Sequence, residues 1–206
     1  ARRRDAGAGH GAGWIGCDAR GSVLVVTKLR IDIGDRPGGI MRGTPGDGRK
    51  EAMRNEWAVR GLQYYNDTFG RYPYQQLTIA DTYVRAGGIE YPQIVLLNDY
   101  INPEYEPGEF HALLLHEMAH FWFYGLLANN QTEQGWLDEG FATFAEIKAM
   151  EAIFGVEDNL AKSRTGLLEQ KTAYRDDDRR STALQYLRYS KSGFDRDPIA
   201  LPSDYL

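Results

Sequence analysis

The chain has 206 residues and a mass of 23.3 kDa, enough for one domain whose core needs no covalent staples. Apolar residues make up 42% and charged residues 26%, which excludes a disordered or collagen-like chain, and a single cysteine, Cys17, excludes an intramolecular disulfide framework. The net charge of -5 gives no support to a nucleic-acid partner. The charge is uneven: residues 1–60 carry 12 Lys+Arg against 7 Asp+Glu, and the remainder carries 12 against 22.

Residues 1–16 are rich in Arg, Gly and Ala, lack the apolar run of a secretory signal, and read as floppy chain. Residues 22–31, SVLVVTKLRI, are short and β-branched, so a strand is expected. Residues 34–48 are dense in Gly and Pro and form a loop or linker. Apolar side chains at Met53, Trp57, Val59, Leu62, Tyr65 and Phe69 recur at helical spacing over residues 49–69, and Gly70 stops that helix. Residues 77–84 and 93–98 read as two further strands, with Gly87 and Gly88 between them. A helix is expected from 108 to 127, a second from 136 to 154 ended by Gly155, and a third from 158 to 174. The charge run 176–180, DDDRR, reads as solvated surface, and residues 192–206 as irregular chain. No stretch approaches the roughly 18 apolar residues that cross a bilayer. Strands come early and helices late, so the class is α+β, a small sheet beside a helical part.

Three polar residues interrupt the apolar run 113–127: His116, Glu117 and His120. They form H-E-x-x-H. Histidines at i and i+4 lie about 40° apart around a helix, so both imidazoles reach one ion. Neutral imidazole nitrogens suit zinc. Glu117 stands about 100° from His116, beside the metal rather than on it, where it can take a proton from a water there. A hydrolytic site needs a third protein ligand and an open fourth position. Glu139 meets that need, in the next helix within WLDEG. Glu146 lies seven residues further on, about 20° from the same helix face, and can accept a hydrogen bond from the outer nitrogen of a ligand histidine. Burying Glu117 between two histidines without a cation costs several kcal/mol, roughly, which favours one bound zinc.

HEMAHFWFYGLLANN followed by EQGWLDEGFATFAE resembles the gluzincin signature of the M1 family of zinc aminopeptidases, H-E-x-x-H, 18 residues, then Glu. GGIEYPQ at residues 87–93 resembles the family's G-x-M-E-N substrate motif, and is closer to a bacterial branch reading G-G-M-E-Y-P. FGRYPYQQLTIADT at 69–82 resembles that branch too, and the likeness covers about residues 50–160. The resemblance implies a thermolysin-like catalytic domain with His116, His120 and Glu139 as zinc ligands and Glu117 as general base. It implies that Glu90 grips the free amine of a peptide substrate, and that Gly87 and Gly88 belong to the strand edge along which the peptide lies. A carboxylate there can pair with a protonated amine, which agrees. Tyr91 and Asp138 both stand where the most familiar members have Asn. The family's oxyanion-stabilising Tyr is followed by Lys-Gly, and Tyr186, Tyr189 and Tyr205 lack that context.

The expectation is therefore a zinc metallopeptidase acting on peptides as an aminopeptidase. Its rivals are a gluzincin endopeptidase, an epoxide-type hydrolase, and a non-catalytic peptide-binding domain that keeps the fold. Residues 1–48 are expected to be a flexible or partial N-terminal segment with one strand. Residues 49–206 are expected to be the catalytic domain, truncated at its C-terminus and belonging to a longer polypeptide. A soluble chain is expected, and the bacterial likeness admits an extracytoplasmic location without fixing it. His111 lies about 140° around the helix from His116 and is expected to serve packing or surface. Phe121, Trp122 and Phe123 are expected in the core.

Overall fold

The structure is a computed structural model that describes residues 14–17, 23–26, 49–74, 77–82, 87–98, 107–157 and 177–192. Its elements are β1 (Trp14–Cys17), β2 (Val23–Val26), α1 (Arg49–Phe69), β3 (Thr78–Thr82), β4 (Gly88–Tyr91), β5 (Ile94–Asn98), α2 (Pro107–Ala119), α3 (Gly135–Phe154) and α4 (Asp178–Lys191). The order is α+β, as the strand and helix patterns imply. The helix expected over 158–174 lies outside the described residues.

β3, β5 and β4 form one sheet in that order, with β3 parallel and β4 antiparallel to β5. Among the described residues β4 is therefore an edge strand. β5 buries Val95, Leu97 and Asn98, and Gly88 on β4 faces Leu97 in register. β1 and β2 pair antiparallel, Trp14 opposite Val26 and Cys17 opposite Val23. This corrects two expectations, a floppy chain through residue 16 and one strand before residue 49. Composition dominated by Arg and Gly hid a pairing that depends on the partner strand.

α1 buries Ala58, Leu62 and Tyr65, one stripe at helical spacing, and Gly70 ends it at φ 100°. The Tyr65 hydroxyl donates to the carbonyl of Leu115 at 2.9 Å, tying α1 to α2 one residue before His116. α2 contributes Phe110, Leu114, Leu115 and Met118 to the core. α3 contributes Ala142, Ala145, Ala149 and Met150. These alanines keep the α3 face low, so its carboxylates come within reach of the α2 imidazoles.

α2 stops at Ala119, eight residues short of the helix expected to run to 127. Residues 120–127 are turns, with Gly125 N–H donating to the His120 carbonyl and Leu127 N–H to that of Trp122. Packing explains the early stop. Phe121 and Trp122 are buried and Phe123 half-buried, and three consecutive side chains cannot all share one helix stripe. Trp122 is pinned by its ring N–H, which donates to the Gly70 carbonyl at 2.8 Å. A Cβ on Gly125 would lie 2.6 Å from the Phe121 carbonyl oxygen, so only glycine allows this tight return.

The charge run 176–180 also departs from expectation. Asp177 caps α4 by accepting from Arg180 N–H at 2.8 Å, and Asp178 is buried in the first turn. Arg179 pairs with the buried Glu151 carboxylate on α3 at 2.7 Å, which docks α4 on that helix. Among the described residues no helix is long and apolar enough to cross a membrane.

Candidate metal and catalytic centre

His116 lies in the last turn of α2, and His120 follows its last residue, so the helix sets both rings on one side. Their Nε2 atoms face each other at 3.3 Å. α3 lies across them. Its N-terminal part brings the Glu139 carboxylate to 3.0 Å from His116 Nε2 and 3.8 Å from His120 Nε2. Two turns later, Glu146 Oε2 sits 3.0 Å from His116 Nδ1. Asp138 Oδ1 sits 2.9 Å from His120 Nδ1, which also approaches the Phe123 carbonyl at 3.3 Å. Each imidazole thus has a carboxylate on its outer nitrogen and turns its inner nitrogen toward the other ring. An Nδ1–H donated outward leaves the Nε2 lone pair for a ligand.

Burial lowers the affinity of His116 for a proton, but hydrogen bonds to Glu139 and Glu146 and the charges of Glu146 and Glu117 push its pKa up to about 10. For His120, burial likewise opposes the shift, and Asp138 and Glu90 raise it past the usual imidazole range. The hydrogen bond from His116 holds Glu139 below the usual carboxylate range despite burial. A field that favours protons this strongly also favours a cation. His116, His120 and Glu139 offer ligand atoms within 4.8 Å of one another, a set that could hold a metal ion.

Glu117 is buried beside this set. Burial pushes its pKa up to about 7, helped by Glu90 and Glu139 and opposed by the two histidines. β4 runs directly against it: a Cβ on Gly88 would fall 2.5–2.7 Å from three atoms of the Glu117 side chain. Glycine is what lets the strand come so close. Glu90 lies two residues on, on the same face of β4, and accepts a hydrogen bond from the Gln131 amide. A cleft of about 530 Å³ is lined by Gly87, Gly88 and Glu90 from β4 and the residue before it, by His116, Glu117 and His120 from α2 and its end, and by Glu139 and Glu146 from α3. The structure thus brings together every site residue read from the sequence.

Two participants carry little or no sequence signal. Asp138, on His120, stands out only as a departure from Asn. Gln131, on Glu90, lies in the connection before α3 and carries no motif. His111 is buried, with its ring 4.2 Å from that of Trp57 and stacked on Phe154 at 5.4 Å, and does not line the cleft. Tyr186 and Tyr189 are exposed on α4.

The peptidase family M1 domain matches residues 53–192, most of the chain. The chain belongs to peptidase family M1. Its small sheet and helices form the α+β architecture of a gluzincin catalytic domain. This M1 chain is 28% identical over 132 residues to "Probable aminopeptidase 1" of Sulfurisphaera tokodaii, covering 60% of the chain and 17% of that protein. It is 32% identical over 110 residues to the alanine/arginine aminopeptidase of Saccharomyces cerevisiae, covering 49% of the chain and 13% of that protein. It is 28% identical over 132 residues to the leucyl aminopeptidase of Saccharolobus solfataricus, covering 60% and 17%. The M1 chain therefore spans 13–17% of the length of these relatives.

Proposed function

We propose that this M1 chain carries the zinc centre of an aminopeptidase, an enzyme that removes N-terminal residues from peptides. The observation that carries the reading is the meeting of both Nε2 atoms and the Glu139 carboxylate beside buried Glu117. The donor set fits zinc. Ligands about 2.0–2.1 Å from a tetrahedral ion lie about 3.3–3.4 Å apart. The donors here are separated by 3.3, 3.0 and 3.8 Å. Two imidazoles and one carboxylate leave a position for water, the pattern of hydrolytic rather than closed structural sites. A zinc ion held there supplies Lewis acidity to a water and to the scissile carbonyl.

The chain's own residues do the rest. Glu117 takes a proton from the attacking water and later gives it to the leaving amine. A carboxyl that titrates near neutrality suits both transfers. Glu90 pairs with the substrate's terminal ammonium and so measures the peptide from its first residue. The outer edge of β4 at Gly87 and Gly88 offers backbone groups to an extended peptide. Glu146 and Asp138 orient the two imidazoles. In this reading residues 49–206 are the metallopeptidase part, incomplete relative to the longer relatives, and residues 1–48 precede it.

Elemental analysis and peptide turnover test the proposal together. One zinc per chain is expected, with free-amine amino-acid anilides cut in preference to N-blocked peptides. Glu117→Gln should keep the zinc and lose about 10²–10⁴ in rate. Equal cutting of blocked peptides would remove Glu90 as an amine anchor. Stoichiometric zinc in His116→Ala would reject the ligand set. Bound zinc with no hydrolysis of any peptide would overturn the catalytic part and leave the metal centre standing.

A further inference from the structure

The carboxylate that meets the substrate's amine in the reading above is itself held from another part of the chain. One carboxylate oxygen of Glu90, one of Glu117 and a ring nitrogen of His120 lie within 4.8 Å of one another. Ionised carboxylates that close repel, and half-buried Glu90 could relieve the repulsion by swinging out to water. Its Oε1 instead accepts a hydrogen bond from the Nε2–H of Gln131. Gln131 lies in the connection between α2 and α3, after His120 and before Glu139. That connection is tied down on both sides of it. Asn130 Oδ1 accepts from the N–H groups of Thr132 and Glu133 at 3.0 and 3.3 Å. Gln134 Oε1 accepts from Asn130 N–H at 3.0 Å, and Gln134 N–H donates to the Asn130 carbonyl at 2.8 Å. Gln131 therefore reaches Glu90 from a turn closed by its own neighbours.

We propose that Gln131 is a positioning residue for amine recognition: it holds Glu90 in the cleft by one oxygen and leaves the other for the substrate's terminal ammonium. The inference rests on the reading of Glu90 as the amine anchor. The residue type matters. A side-chain amide donates without bringing a positive charge to Glu90. A lysine or arginine at this place would pair with the carboxylate and compete with the ammonium, and a second carboxylate would add to the repulsion. Fixing Glu90 before the peptide arrives removes ordering that binding would otherwise have to supply. The same stretch of chain that runs from His120 to Glu139 carries Gln131, so the anchor is set from the segment that supplies two metal ligands.

Calorimetric binding of two hydroxamates to the zinc-loaded 206-residue chain tests this without any turnover. The probes are leucine hydroxamate and its analogue with hydrogen in place of the amine. Both present the same hydroxamate to the metal, so the ratio of their affinities reads amine recognition alone. The unsubstituted chain should prefer the amine form, and Glu90→Ala should abolish that preference. Gln131→Met keeps the length of the side chain and lacks the donor. It should cut the preference about three- to tenfold, the effect of one lost hydrogen bond, and leave affinity for the analogue within about twofold. In a Glu90→Ala background, Gln131→Met should change neither affinity. Equal weakening of both probes would mean that Gln131 only supports the connection, and would overturn the proposal. So would an unchanged preference in Gln131→Met, or a loss of amine affinity that persists without Glu90. Thermal melts check that the variants fold; should Met unfold the chain, Gln131→Ala takes its place with the same outcomes. If the unsubstituted chain binds neither probe, or Glu90→Ala keeps the amine preference, the reading above falls and this inference falls with it. If Glu90→Ala abolishes the preference and Gln131→Met leaves it intact, only the inference falls.

Discussion

Asp138 Oδ1 receives the Nδ1 proton of His120 at 2.9 Å, with both side chains almost wholly buried. Glu139 is its chain neighbour, yet it reaches the inner nitrogens instead. Successive side chains leave a helix about 100° apart, so two neighbouring residues near the start of α3 serve the outer side of one ring and the gap between both rings.

That placement gives Asp138 a measurable role. Asp138→Leu should weaken zinc binding about 10–100-fold, since the ring of His120 loses its orienting acceptor. Asp138→Asn should cost much less, because its carbonyl oxygen still accepts from Nδ1. Dye competition measures both. Equal affinities for the Leu variant and the unsubstituted chain would remove Asp138 from the site.

Gly88→Ala probes the contact between β4 and the proposed base. The new methyl would fall 2.5–2.7 Å from Glu117 Oε1, Cδ and Cγ, so either the strand or the carboxylate must move. A displacement near 1 Å of a catalytic group costs about 10²-fold in rate. The expected result is a lower kcat, with zinc content unchanged because no metal ligand is touched. Unchanged kcat would show that the strand yields without disturbing Glu117.

What the sequence makes legible follows from the reach of helical periodicity and of motif spacing. The i, i+4 offset pairs His116 with His120, and the seven-residue offset puts Glu146 on the face of Glu139. Glu139 itself belongs to the next helix, and its spacing from His120 is what the family resemblance carries. Asp138 opposite His120 depends on how two helices are phased against each other, which no local pattern carries. The same limit explains the helix drawn through residue 127. Apolar composition favoured a helix, but placing Phe121 and Trp122 together in the core, with the Trp122 ring bonded to Gly70, breaks it. The strand at Trp14–Cys17 depends on pairing with β2.

The Glu151–Arg179 contact tests how α4 is held. Glu151 is buried while Arg179 is 58% exposed, so loss of the pair should cost about 1 kcal/mol or less overall. The larger effect is local. In Glu151→Gln, amide exchange over α4 should accelerate up to about fivefold while α1 and α2 keep their protection. Uniform acceleration across all helices would mean that α4 is not separately docked by this pair.

His111 supplies the pH dependence. Burial, with a smaller push from Arg60, lowers its pKa from the ordinary 6.5 to about 3, and neither ring nitrogen has a hydrogen-bond partner among the described residues. The folded chain therefore keeps this ring neutral, while the unfolded chain binds a proton below about pH 6.5. Stability is fully present above pH 6.5 and falls as pH drops toward 3, by about 1.4 kcal/mol per pH unit for this one proton. His111→Phe fits among Trp57, Phe110 and Phe154 and cannot charge. It removes two unpaired buried nitrogens, each of which costs about 1–3 kcal/mol. The variant should melt higher at pH 7, and its advantage should widen steadily between pH 6.5 and 4. Parallel melting curves for the two proteins across that window would mean that His111 takes up its proton without unfolding.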